Sequence, residues 1–145
     1  MGKTNNYETS VLELLFNATG IANIADNTAT SPLTNLYVSL HTSSPGQSGN
    51  QSTNEIAYTG YARVAVARSG SGWTISGSNP ASCSPNSTIS FPAGTGGSGT
   101  ATYAGIGSAS SGAGVLYYFG AITPNIVCGN TITPQLTTAS AITEQ

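Results

Sequence analysis

The sequence predicts a mainly β fold, an antiparallel β-sandwich or barrel-like domain with one N-terminal α-helix. A helical period occurs once, near the start of the 145-residue chain. About seven short strand candidates follow it, and Gly, Pro, Asn and Ser separate them at regular spacing. No helical pattern lies between the strands, which argues against the parallel crossovers of α/β folds.

The N-terminal region is predicted to consist of an arm and a helix. Residues 1–6 carry almost no apolar surface, so they predict a flexible arm that its own domain does not hold. From Tyr7 onward apolar side chains recur with the helical period, which predicts a helix at about 6–19. Asn5 precedes this period and is the expected N-cap. The remainder, 7–145 including the helix, is expected to form a single β-rich domain.

The strand candidates combine β-branched and aromatic residues with turn residues at both ends. They fall at 35–42, 56–68, 73–76, 88–91, 100–107 and 115–123, with a weaker pair at about 126–133 and 135–143. Between the first two lies a segment at 43–54 that contains only Ser, Gly, Gln, Asn, Thr and Pro. This segment predicts an exposed, mobile loop, because it has no apolar residue to attach it.

Alternation divides the side chains of strand 35–42 into two sets. The set predicted to face the core is Leu36, Val38 and Leu40, and the set on the opposite face is Tyr37, Ser39 and His41. His41 is the only histidine of the chain and lies near the end of this strand. We expect it to be a hydrogen-bonding surface residue, with a general base or metal ligand as the alternatives.

The two arginines are the most informative charges. Arg63 and Arg68 lie five positions apart on the longest strand candidate, so alternation places them on opposite faces. With Lys3 they are the only cations. Arg63 has two interpretations, between which the sequence does not choose. It forms an ion pair buried at an interface, with Glu55 or with a partner chain, or it is a solvated side chain.

The near absence of charge excludes several classes of partner. Only 3 residues are basic and 5 are acidic, which is 6% of the chain. Three cations cannot neutralise the phosphates on which nucleic-acid affinity depends. There is no basic helix for a membrane surface and no apolar run long enough to span a membrane. We therefore expect neither a nucleic acid nor a membrane as a partner.

Enzymatic and metal chemistry are not expected either. Acid–base catalysis needs titratable groups with tuned pKa values, and this chain has few such groups. A zinc site needs four Cys or His ligands, whereas the chain offers Cys83, Cys128 and His41. We therefore expect no catalytic residues, no metal and no other cofactor. Two free thiols are the favoured state of the cysteines, and a disulfide is the alternative.

The order of motifs along the chain carries a family resemblance. The helix motif YETSVLELLF is followed by LYVSLHTSSP, by GYAR with VAV, and by ISFP, TYAGI and VLYYFGA. This series resembles a family of small structural proteins of tailed phages, often labelled tail fibre protein. Some members of similar build resemble capsid decoration, or cement, proteins that form trimers on the shell. The resemblance covers nearly the whole chain.

The resemblance implies a structural component of a tailed-bacteriophage virion, assembled in the cytoplasm of the bacterial host. The expected role is a capsid decoration protein that binds the major capsid protein on the outer shell as a homotrimer and stabilises it. The alternative is a tail-tip or tail-fibre-associated protein that contributes to host adhesion. The residues expected at the interface are Lys3, Tyr7, Leu12, Phe16, Tyr37, Ser39, His41 and Arg63.

Overall fold

The computed structural model describes residues 2–16, 20–22, 24, 33–77 and 81–144 of the chain. In chain order its elements are β1 (Gly2–Lys3), α1 (Asn5–Phe16), β2 (Asn35–His41), β3 (Val64–Ala67), β4 (Trp73–Ser76), β5 (Ala81–Pro85), β6 (Ile89–Ser90), β7 (Ser98–Gly107), β8 (Leu116–Gly129), β9 (Gln135–Leu136) and β10 (Ile142–Glu144).

The strands form three sheets in which all neighbours are antiparallel. The largest sheet has the strand order β1-β8-β7-β2-β3. Strands β10, β5 and β4 form a second sheet, and β6 and β9 form a third. The predicted fold class, a mainly β sandwich-like domain with an N-terminal helix, is confirmed.

A single apolar core joins the three sheets. Val38 and Leu40 of β2 are almost completely buried, and Leu36 packs against the same cluster. The cluster also includes Trp73 from β4 and Phe91, which follows β6. The prediction that alternation along β2 directs these three aliphatic side chains to the core is confirmed.

Helix α1 begins one residue earlier than predicted and uses a different cap. The N-cap is Thr4 and not Asn5, because the Thr4 hydroxyl accepts the backbone N–H of Tyr7 at 3.4 Å. The helix is described as far as Phe16, and the predicted residues 17–19 lie outside the described part of the chain.

The structure differs from the expectation that its own domain does not hold the N-terminal arm. Gly2 and Lys3 form β1, which pairs with β8 at the edge of the largest sheet. Thr4 is buried, and its hydroxyl donates to the carbonyl oxygen of Leu116 in β8. Backbone pairing therefore attaches a segment that has almost no apolar surface, and a search for apolar side chains does not detect such an attachment.

The segment at 43–54 is a loop with six exposed residues, as its composition predicted, but it is attached to its own domain. Where the segment ends, the backbone N–H of Ile56 donates to the carbonyl oxygen of Leu40 at 2.9 Å, which returns the chain to β2. Pro45 and Gln51 within the segment are buried. Polar contacts take the place of the missing apolar attachment.

Candidate functional site

A network of polar side chains, which we call the polar layer, begins on the face of β2 opposite to the core. Its members are the buried residues Ser39, His41, Gln51 and Arg63 and two half-buried residues, Glu55 and Tyr61. Residues 43–55, here called the covering loop, lie over the two members that β2 supplies. A second loop at 108–114, between β7 and β8, contacts the same group. The geometry of this layer decides which candidate residues can reach a partner.

The histidine of the polar layer is buried and hydrogen-bonded through both ring nitrogens. His41 Nδ1 lies 2.8 Å from the carbonyl oxygen of Thr53, so it carries the proton and donates to the covering loop. Nε2 lies 2.9 Å from Ser39 Oγ and accepts from that hydroxyl. Burial lowers the pKa of His41 below its ordinary value, which keeps the ring neutral.

The contact between Ser39 and His41 has the distance of a nucleophile–base pair. Both residues, however, are 0% exposed. A substrate has no path to the serine hydroxyl without displacing the covering loop. The expectation that His41 lies on the surface is wrong, because the loop that was predicted to be exposed covers it.

The arginine of the polar layer forms a buried ion pair. Arg63 Nε and one terminal nitrogen donate to the two carboxylate oxygens of Glu55, each at 2.7 Å. The other terminal nitrogen donates to the carbonyl oxygen of Ala109 at 2.9 Å, and Gly112 accepts a further bond at 2.7 Å. The Arg63 side chain is only 2% exposed. Of its two interpretations, the ion pair with Glu55 is confirmed, and it connects the covering loop to the second loop.

The glutamine of the polar layer makes a second connection between the loops. Gln51 is fully buried, its Nε2 donates to the carbonyl oxygen of Tyr37 at 3.3 Å, and its Oε1 accepts the N–H of Ala109 at 2.9 Å. A Cβ added at Gly107 or Gly114 would overlap the Gln51 side chain. Two glycines of the β7–β8 region therefore provide the space that this side chain needs.

Tyr61 completes the network at the end of β2. Its hydroxyl donates to Glu55 Oε1 at 2.9 Å and accepts the backbone N–H of Leu40 at 3.1 Å. Burial, together with the Glu55 carboxylate, raises the pKa of Tyr61, so the phenol stays protonated and available as a donor. Sequence reasoning missed Gln51 and Tyr61, because the strand and loop patterns contain no signal for buried polar contacts between them.

Three of the eight interface candidates belong to the polar layer and are not available to a partner. Ser39 and His41 are completely buried by their own chain, and Arg63 is nearly so. The covering loop binds His41 through Thr53 and Arg63 through Glu55, and the Ser39 hydroxyl lies against the His41 ring. The prediction that these three side chains form part of a contact surface is therefore corrected, because the folded chain buries them.

The remaining candidates divide between β2 and the N-terminal region. Tyr37 and Lys3 are half-buried, and Tyr7 places its ring edge-on to Tyr117 and Tyr118, with ring centroids 5.6 and 5.4 Å away. The other two candidates lie on α1. The structure describes Phe16 with 75% of its surface exposed, whereas the side chain of Leu12 lies outside the described set. The N-terminal helix is therefore the available part of the predicted interface.

The described residues contain no group of three or more His, Cys, Asp and Glu side chains that could hold a metal ion. Cys83 and Cys128 are free thiols, in agreement with the favoured interpretation. Within the described ranges no helix is both long and apolar enough to cross a bilayer.

Comparison with protein families adds an independent finding. A family model described as podophage GP4 fiber I protein gp80 matches residues 5–141. The match includes α1, the whole polar layer and both loops that cover it. The comparison with curated proteins finds no match. The resemblance to a phage tail-fibre-like family is confirmed.

Proposed function

The chain belongs to the podophage GP4 fiber I protein family, and from this premise we propose that it acts as a tail-fibre-associated protein that contributes to host adhesion. Membership makes it a structural component of a phage virion. The observation that carries the finer proposal is the match over residues 5–141 with a family that is named for a fibre protein.

The outer surface of the polar layer is consistent with adhesion. Arg63 and Gln51 hold the covering loop and the second loop together from below. The exposed residues of the two loops are uncharged, and Ser110 and Ser111 lie at the tip of the second loop. Such a surface can hydrogen-bond a neutral polar ligand such as a glycan. Loops that are already ordered lose less conformational entropy when they bind.

We expect the functional unit to be a homotrimer. The chain has no coiled-coil or β-helix repeat from which a long shaft is built, so one copy forms a compact unit. Strand β3 is an edge of the five-stranded sheet, and β4 is an edge of the three-stranded sheet. With only three cations the chain has few charged side chains to protect these edges, and a closed trimer would cover them.

A capsid decoration protein, bound to the major capsid protein on the outer shell, is the second candidate. The observation that favours it is the formal net charge of −2 on 145 residues. Identical copies in a dense array would repel one another if each carried a large like charge. A nearly uncharged chain suits such an array.

Copy number in purified virions tests the position of the protein. A tail has low symmetry, so a fibre component should be present at fewer than about one copy per twenty major capsid subunits. Gel densitometry against the major capsid protein measures this ratio, and gold-labelled antibody shows whether the label lies at the tail. Comparable copy numbers with label over the shell would refute the fibre position and support decoration.

Competition for host cells tests the adhesive role. The purified chain, added to host cells before the phage, should slow phage adsorption. Ser111→Glu places a charge on the neutral loop surface and should weaken this competition. Thr143→Glu places the same charge on β10, an exposed position in the three-stranded sheet, and serves as the control. Equal competition by the two variants would contradict a role for the loop surface.

A further inference from the structure

An apolar cleft lies beside the core, at the three-stranded sheet. We call it the Arg68 cleft, and its volume is about 440 Å³. Its walls include Ile106 and Tyr118 from the five-stranded sheet, and Trp73 and Ile75 from β4. Ile75 is 70% exposed, although it is a large aliphatic side chain. The cleft therefore presents unfilled apolar surface on the described part of the chain.

The cleft lacks an apolar side chain to fill it, whereas helix α1 carries an exposed aromatic side chain. Phe16, the last described residue of the helix, is 75% exposed. Tyr7, in the first turn of the helix, contacts Tyr118, which lines the cleft. Phe16 lies nine residues further along, about 14 Å along the helix axis. About two and a half turns of helix therefore separate the exposed aromatic residue from the tyrosine that touches the cleft wall.

The charges of the helix and the cleft are complementary. The sequence of α1 contains Glu8 and Glu13 and no basic residue. Arg68 is the one charged residue among the described residues that line the cleft. Its guanidinium donates to the carbonyl oxygen of Leu33 at 2.7 Å, which fixes the cation at the cleft. An acidic helix with an exposed aromatic residue fits an apolar cleft that carries one cation.

We propose that Phe16 of one copy inserts into the Arg68 cleft of a neighbouring copy of the same chain. The proposal rests on the homotrimer expected in the proposed function and identifies its contact. Each copy inserts one Phe16 side chain and receives one, so the contact is heterologous and closes when the ring is complete. In a closed trimer no Phe16 and no cleft remains without a partner.

The oligomeric state in solution tests this contact. Wild-type chain should sediment as a trimer in analytical ultracentrifugation, and Phe16→Ser should raise the dissociation constant at least about tenfold. Val11→Ser removes another exposed apolar side chain from α1 and should leave the trimer intact. Because Phe16 is exposed in the single chain, its variant should keep the wild-type circular dichroism spectrum. A monomeric wild type, or a Phe16→Ser variant that remains trimeric, would overturn the proposal.

A native thiol offers a direct test of proximity. Cys83 lines the Arg68 cleft and is free, whereas Cys128 lies in the core. At a chain concentration above the dissociation constant measured for Phe16→Ser, Phe16→Cys should therefore give covalent dimers and trimers with a short bis-maleimide, on a denaturing gel under reducing conditions. Adding Cys83→Ser to the same chain should abolish them. Products that survive in the double variant, or no products in the single variant, would overturn the proposed contact.

Both measurements use the purified chain alone. If they overturn the contact between copies, the position of the protein in the virion is still decided by copy number and antibody labelling. Uptake of a small apolar dye by a monomeric wild type would identify the cleft as a ligand pocket and would also overturn the contact between copies.

Discussion

Removing the carboxylate of the buried Arg63–Glu55 ion pair should strongly destabilise the folded chain. The informative change is Glu55→Gln, which keeps the size of the side chain and removes its charge. The Arg63 side chain, 2% exposed, would then remain as a cation without its partner carboxylate. Tyr61 would lose a charged acceptor in the same substitution.

The magnitude follows from the contacts that the guanidinium keeps and loses. Removing one partner of a buried ion pair costs about 3–5 kcal/mol. Arg63 keeps two backbone carbonyl acceptors, from Ala109 and Gly112, so we expect the lower end of this range, about 3 kcal/mol. Arg63→Met should cost less, about 2 kcal/mol, because the Glu55 side chain is 17% exposed and can be hydrated.

Urea denaturation measures these losses through the fluorescence of Trp73, the only tryptophan, which lies in the core. For Glu55→Gln the midpoint should fall by about 1.5 M urea. Glu8→Gln removes an exposed carboxylate from α1 and should change stability by less than about 0.5 kcal/mol. The double variant Glu55→Gln/Arg63→Met should lose less than the sum of the single losses. A loss below about 1 kcal/mol for Glu55→Gln, the value of an exposed pair, would refute this reasoning.

Three further changes test other parts of the structure. Burial holds the pKa of His41 below its ordinary value of 6.5. As the pH falls, the unfolded chain therefore binds the proton before the folded chain does. The free energy of unfolding should fall below about pH 6.5, by up to about 1.4 kcal/mol per pH unit. In urea titrations between pH 5.5 and 7, His41→Gln should reduce the change of this free energy with pH. An unchanged pH dependence would contradict the role of His41. Gly107→Ala should cost about 2 kcal/mol, because the new methyl group would overlap the carbonyl oxygen of Val115. Gly70→Ala, with open space around it, is its control, and equal melting temperatures would argue against the crowding. Thr4→Val should cost about 1–2 kcal/mol, since it removes the helix cap and a buried hydrogen-bond donor. A melting temperature equal to that of the wild type would show that the Thr4 cap and its buried hydrogen bond do not stabilise the domain.

Apolar periodicity predicted the parts of this fold that apolar burial determines. The alternation of Leu36, Val38 and Leu40 predicted the inward face of β2 correctly. The period that starts at Tyr7 predicted α1 to within a residue at its start. For β2 the pattern and the energy have the same origin, which is the removal of apolar side chains from water.

The polar layer was not predictable in the same way. Gln51 and His41 are as deeply buried as Leu40, yet their burial depends on hydrogen bonds whose partners lie far away in the sequence. A segment of Ser, Gly and Asn gives no sign of where its partners are, so 43–54 was expected to be exposed. Of these contacts the sequence suggested only the Arg63–Glu55 pair, as one of the alternatives that it left open for Arg63.

The interface candidates show the same difference between apolar and polar residues. Ser39, His41 and Arg63 were chosen for a face that the sequence left uncovered, and their own loop covers that face. Phe16, by contrast, is exposed on α1, and its part in an interface stays a prediction. Alternation therefore did not reveal that the folded chain buries the polar face of β2.

The polar layer also affects how the stability of this protein depends on temperature. Unfolding exposes apolar groups on the core side of β2, which raises the heat capacity, and polar groups on the other side, which lowers it. A chain that buries Gln51, His41 and Arg63 in this way should therefore have a smaller heat capacity of unfolding per residue than an ordinary domain of its size. The free energy of unfolding should therefore vary less with temperature, because cooling weakens the hydrogen bonds of the polar layer less than the apolar contacts of the core. For a component of a particle that persists outside its host, this widens the range of temperatures over which the fold is retained.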